Sequence, residues 1–128
     1  MNESVKTVLS GNNWTLATYS DAPNAVPVFF KKVTDDGRLL VGNVFLETTL
    51  KNIAANGKIA VSVYDGQTME GYQIKGHAEH VTAGEEFDEM AAVVKGAFGG
   101  ALACRGLLII HPEEIIVTTP GPDNKKVL

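Results

Sequence analysis

The sequence predicts a mainly β fold, a six- to seven-stranded antiparallel barrel with peripheral helices. Three observations carry that reading. Short runs rich in Val, Ile, Leu, Thr and aromatics recur, each bounded by Gly, Pro, Asn or Asp. Only two or three segments repeat apolar residues at helical spacing. Two runs, Ala25–Phe30 and Leu107–Ile110, are apolar on both faces, whereas a strand in a solvated sheet alternates apolar with polar. A barrel interior covers one face of such strands, and a flanking helix, a second subunit or a planar ligand must cover the other. With 128 residues, the chain is expected to form one domain over 1–128, with room for a core but not for two.

The elements follow from local signals. Glu3–Ser10 reads as a short helix closed by Gly11-Asn12-Asn13. Trp14–Ser20 is a strand and Asp21–Asn24 the turn after it. Ala25–Val33 is the next strand, with Asp35-Asp36-Gly37 as the hairpin turn into Arg38–Asn43. Pro27 has no amide proton to give a sheet ladder, so it belongs at an edge or where pairing stops. Glu47–Asn56 is helical, with Leu50, Ile53 and Ala54 on one side and Gly57 as the stop. Lys58–Tyr64 is a strand, Asp65-Gly66 a turn, and Gln67–Thr82 contains a long strand. In that strand Tyr72, Ile74 and Ala78 share one face, with Gln73, Lys75, His77 and Glu79 on the other, the pattern of half-exposure. Gly84–Phe98 carries Phe87, Met90, Ala91 and Val94 at helical spacing. Leu107–Ile110 and Ile115–Thr119 are the last strands, before a Pro-Gly-Pro turn and a short tail.

Composition narrows function. Apolar content of 45% and charged content of 20% are those of a water-soluble globular chain. A net charge of −4 without any basic run gives no electrostatic reason to expect nucleic acid. No apolar run is long enough to span a bilayer, and the first residues lack an export pattern. The single Cys104 forms no internal disulfide, which agrees with a cytoplasmic location, and it is expected to be a small buried hydrophobe. His77 and His80 stand three apart on a strand and so point to opposite faces, a poor metal pair, and no metal site is expected. His111, before Pro112, reads as a turn residue, and Trp14 as a core or dimer residue.

The most informative junction runs from Arg38-Leu39-Leu40-Val41-Gly42-Asn43 into Glu47-Thr48-Thr49-Leu50-Lys51. A helix start offers unpaired N–H groups and the positive end of the peptide dipoles. Thr48 and Thr49 add hydroxyl donors where a phosphate could dock. A threonine that merely caps the helix is the simpler account of the junction taken alone.

Taken together, Ala22–Val28, Leu39–Asn43, Thr48–Ile53 with Asn56, Gly71–Glu79 and Thr118–Pro122 resemble the pyridoxamine 5'-phosphate oxidase-like, FMN-binding split barrels, including their small bacterial and archaeal members. The likeness spans nearly the whole chain in order, although no single motif is specific. It implies a homodimer with FMN in a groove between subunits, which would cover the double-sided strands. Carried over residue by residue, Val26, Pro27 and Val28 match the strand along the flavin ring. Val41, Gly42 and Asn43 match the end of the next strand beside the ring and ribityl chain. Thr48 and Thr49 match the phosphate pair, and Gln73 lies near a polar contact from the long strand.

Two departures stand out. Family members usually carry Arg or Lys in the phosphate pair, whereas both positions here are threonine; Lys51, one turn on, or Arg38 or Lys75, from this subunit or the other, could supply the charge. The vitamin-processing oxidases also hold their substrate's phosphate with basic, tyrosine and serine side chains in and after the later helix. Glu85–Phe98 offers only Lys95 and neither tyrosine nor serine. The resemblance therefore implies an FMN-binding flavoprotein, an oxidoreductase passing electrons or hydride to a small acceptor, rather than a true pyridoxamine 5'-phosphate oxidase. No catalytic side chain is named, since a flavin would bring the chemistry. The alternatives are a flavin carrier without turnover, or the same fold holding deazaflavin or haem.

Overall fold

One of the predicted strands is two, and the break sets the architecture. The computed structural model describes residues 1–128. Its elements are α1 (Glu3–Gly11), β1 (Trp14–Tyr19), β2 (Pro23–Val28), β3 (Lys31–Val33), β4 (Leu39–Asn43), α2 (Thr48–Asn56), β5 (Lys58–Tyr64), β6 (Gly71–Val81), α3 (Glu85–Gly96) and β7 (Gly106–Val117), with a 3-10 turn at Phe98–Gly100. The seven strands form one antiparallel sheet in the order β2-β1-β5-β6-β7-β4-β3. Only Phe29 and Phe30 separate β2 from β3, yet these strands occupy opposite edges. The sheet must curl until its edges meet at those two residues. Because β2 pairs only with β1 and β3 only with β4, the barrel stays split there. Pro27, on edge strand β2, leaves no interior ladder bond unmade.

The interior is one apolar cluster drawn from every layer: Trp14 and Leu16 of β1, Val28 of β2, Leu39 and Val41 of β4, Val61 of β5, Ile74 of β6, and Leu108 and Ile110 of β7. Helix α1 adds Val5, Val8 and Leu9, the i, i+3, i+4 face of its nine residues. Each such burial contributes about 1.5–3 kcal/mol, which holds in place a helix too short to persist alone. Asn2 caps it, accepting from the Val5 amide at 2.9 Å. Trp14 is a core residue whose indole N–H donates to the Leu9 carbonyl at 2.8 Å.

A second cluster lies outside the barrel, where Met90 of α3 covers Leu40, Leu107 and Ile109. The two double-sided strands thus have different fates. Leu107–Ile110 is covered within the subunit by α3, whereas the outer face of β2 and the crossing stays open, with Phe29 80% exposed. Arg38 fixes the β3–β4 hairpin to α3 through a bidentate pair with Glu86, both bonds 2.8 Å, while its Nε donates to Asp36.

Three further expectations are corrected. The strands placed at Leu107–Ile110 and Ile115–Thr119 are one strand, β7, which carries Pro112 through a bulge. Lys75 faces Glu114 and Gly76 faces Pro112, so Glu113 is the extra residue. His111 is therefore a strand residue, not a turn residue, stacked on His77 at 4.7 Å between ring centroids. Cys104 is half-buried at the margin of the α3 cluster, and its thiol donates to the Gly106 carbonyl at 3.1 Å.

At the bulge the backbones of β6 and β7 approach so closely that a methyl on Gly76 would collide with the His111 carbonyl. Gly76→Ala should therefore destabilise the fold by about 1–3 kcal/mol, measured as a lowered denaturation midpoint with an unchanged slope.

Candidate functional site

Where β2 and β3 part, the surface falls into a groove of about 570 Å³. The range is that of small-molecule and cofactor sites. One wall is β2 and the crossing, Val26 to Phe30, and another is the segment Val44 to Glu47 leading into α2. Phe98 and Leu102, from the connection between α3 and β7, form the far side, with Phe98 edge-on to Phe30 at 6.5 Å between centroids. Gly42 lies on the floor, its amide donating to the Phe30 carbonyl at 2.8 Å. Phe29, Phe45 and Phe98 are 80%, 79% and 66% exposed, so apolar rim faces water in the isolated subunit.

The groove ends at the start of α2. The helix is not closed by Thr48 as a cap: Thr48 is its first residue, Glu47 is the N-cap, and the Glu47 side chain makes no capping bond. The amides of Thr48, Thr49 and Leu50 have no acceptor in the protein, the ordinary shortfall at a helix start. The two threonines differ. Thr48 is exposed, whereas Thr49 is 1% exposed and its hydroxyl accepts from Asn24 Nδ2 at 3.0 Å. Asn52 of the same helix donates to Thr18 at 3.0 Å, so buried amide and hydroxyl groups lock α2 onto β1 and β2. The Thr48 hydroxyl has no partner in the subunit, whereas that of Thr49 is buried and held as an acceptor by Asn24.

Of the residues expected at a cofactor site, Val26, Pro27, Val28, Gly42, Thr48 and Thr49 line this groove. Val41, Asn43, Lys51 and Gln73 do not line it within one subunit. Val41 points into the barrel core, Asn43 is buried at its end, Lys51 is exposed one turn along α2, and Gln73 lies half-buried on β6. Arg38 is committed to Glu86 and Asp36, and Lys75 sits beside a separate shallow cavity with Lys58, Glu113 and Glu114. Glu47 is the one charged residue on the groove wall.

The sequence did not suggest the support beneath the rim. His80, at the end of β6, reaches across Gly106 of β7 to Asn43 of β4, with 3.2 Å between Nε2 and the amide nitrogen. The reach requires glycine, because a Cβ at position 106 would strike the imidazole. Asn43 in turn accepts from the Leu46 amide at 3.0 Å, and its carbonyl accepts from Arg105 at 2.7 Å. Asn43 thereby fixes both the segment that becomes the groove wall and the approach to β7. The spacing of the three residues along the chain carries no trace of this meeting.

The family model described as pyridoxamine 5'-phosphate oxidase matches residues 1–119. The chain belongs to that family. A relative, an uncharacterized protein of Methanocaldococcus jannaschii, is 33% identical over 114 residues, which is 88% of this chain and 75% of that protein. Among solved structures, HupZ of Group A Streptococcus superposes with a TM-score of 0.83 at 25% identity, over 96% of this chain and 98% of its own. An FMN-binding protein of Syntrophomonas wolfei superposes at 0.80 with 15% identity, over 94% and 87%, a likeness of fold. The split barrel expected from the sequence is thus the family's fold, shared with the FMN-binding protein of Syntrophomonas wolfei.

Burial holds the His80 imidazole below its ordinary pKa of 6.5. The unfolded chain then binds a proton that the folded chain resists. The stabilising contribution is complete above pH 6.5 and is lost as pH falls toward the folded-state value. Unfolding free energy should decline between pH 7 and 5, and His80→Gln should flatten that slope in denaturant titrations at several pH values.

Proposed function

We propose that this chain is a flavin-binding protein of the oxidoreductase class, working as a homodimer in the cytoplasm with FMN in the groove at the barrel split. The observation that carries the reading is the groove itself. It joins an apolar, partly aromatic trough to a helix start whose amides lack acceptors, which is the shape and chemistry of a flat ring with a polar tail. Family membership and the FMN-binding relative support it. A flavin, when bound, supplies electron and hydride transfer, and the protein supplies position, polarity and access.

The chain's own residues divide that work. Val26, Pro27, Val28 and Val44 would bury the ring, and the free amides with the Thr48 hydroxyl would meet the tail. Asn43 holds the wall in register through the Leu46 amide. The ring half fits a flavin well, while the tail half offers donors without a cation. A second copy of the chain accounts for the exposed aromatic rim, since apolar patches rimmed by polar surface mark association sites. Turnover of pyridoxamine 5'-phosphate is not part of the proposal. Lys95 of α3 is exposed and absent from the groove, and the segment after that helix presents Phe98 and Leu102 instead of phosphate-binding groups.

Freshly purified protein should be yellow and release FMN on denaturation. Mass spectrometry of the extract identifies the ligand, and deazaflavin, haem or a colourless protein that flavin does not stabilise would refute the assignment. Stopped-flow mixing with reduced nicotinamides and small acceptors should give saturable kinetics; their absence would leave a carrier. Phe29→Ser should shift sedimentation from dimer toward monomer and weaken flavin binding at least tenfold, because one residue lines both the groove and the open face.

A further inference from the structure

A flavin mononucleotide brings two charges to its site, and the groove is poorly arranged to receive them. No lysine or arginine lines the groove within the subunit: Arg38 is paired with Glu86, Lys75 is beside another cavity, and Lys51 does not line the wall. The one charged side chain on the wall is an acid, Glu47, at the end where the phosphate would lie. Its carboxylate has neither an ion-pair nor a hydrogen-bond partner in the subunit, and no pair forms with Lys51 four residues on. The charge is therefore not neutralised locally. The other groups at this end are neutral, namely three amides, the hydroxyls of Thr48 and Thr49, and the Asn24 amide.

These opposing contributions can be weighed. Bonds from neutral donors to a phosphate are charge-assisted and favourable, but a carboxylate on the same wall repels the same phosphate. With no cation on the wall, the carboxylate offsets part of what the neutral donors gain, so the phosphate adds less affinity here than it would beside a cation. The apolar trough is indifferent to the tail.

Resting on the flavin reading above, we propose that the groove selects its ligand by the ring and not by the terminal phosphate. It takes a flavin with an uncharged ribityl tail, riboflavin, about as well as FMN, and Glu47 is the residue that sets this selectivity. An acid near a helix N-terminus favours the helix through the peptide dipoles, but Glu47 caps nothing through its side chain. It leaves the amide donors open while placing a negative charge beside them.

The test is fluorescence or calorimetric titration of apoprotein, full chain, with riboflavin and FMN in parallel at about 50 mM salt. The two dissociation constants should lie within tenfold of each other. Glu47→Gln should tighten FMN roughly three- to tenfold through loss of the like charge and leave riboflavin unchanged. FMN binding more than tenfold tighter than riboflavin would overturn the proposal while leaving the flavin reading intact. So would a Lys51→Ala variant that loses FMN but keeps riboflavin, since Lys51 would then be supplying the missing charge. A Glu47→Gln variant that shifts both ligands equally would also overturn it, because the residue would then act through structure. If neither flavin binds, the flavin reading itself fails and this inference falls with it.

Discussion

The two-residue crossing at Phe29 and Phe30 is the constraint on which the rest of the molecule depends. It sends the chain from one edge of a seven-stranded sheet to the other without turning away from it. A sheet so connected has to curl, and the curl encloses Trp14, Leu16, Val41, Ile74 and Leu108 in a single interior. Yet the crossing cannot itself be laddered to both neighbours, since β2 is committed to β1 and β3 to β4. A gap is left where the edges meet, and that gap is the groove. Fold and site are here one geometric event. Side chains at the crossing serve both, Phe30 touching the α3 cluster while lining the groove with Phe29.

Polar groups hold the gap open in a fixed shape. Asn24, Thr49, Thr18 and Asn52 tie α2 to β1 and β2 inside the protein, where an unpaired amide or hydroxyl would cost about 1–3 kcal/mol. At the other end of the wall His80, Asn43 and the Leu46 amide make a second tie. No buried side-chain nitrogen or oxygen is left without a partner. The walls of an apolar trough are thus positioned by directional bonds that lie behind them. Burial alone, which is non-directional, would not fix the distance between β2 and α2.

The open face has the opposite character. Beneath α3, Leu40, Leu107 and Ile109 are closed off, and Arg38 with Glu86 holds the cover in place. Along β2, Phe29 and the neighbouring apolar surface are left uncovered, together with Phe45 and Phe98. The arrangement seals one double-sided strand and leaves the other bare, which is what the proposed dimer and ligand would cover.

Much of this was legible in the order of residues. Local signals located α1, the hairpin turn at Gly37, β5 over Lys58–Tyr64 and the face pattern of β6, since period and turn chemistry are properties of neighbouring residues. The resemblance in sequence also directed attention to Val26, Pro27, Val28, Gly42, Thr48 and Thr49, which the fold gathers around one groove. Other features depended on residues far apart in the chain. The break after Val28 is invisible in an uninterrupted apolar run because it reflects a change of partner strand. Pro112 reads locally as a strand end, but the two-against-one count of the bulge opposite Gly76 lets β7 continue. His80 reaches Asn43 only because Gly106 leaves room, and Thr49 differs from Thr48 in being buried and bonded to Asn24. Sequence by itself determined the strands, the turns and the apolar character of the groove's wall, all short-range properties. Tertiary structure decided which faces stay open, which hydroxyl is uncommitted and which charge stands at the groove's end, because each depends on contacts across twenty or more residues.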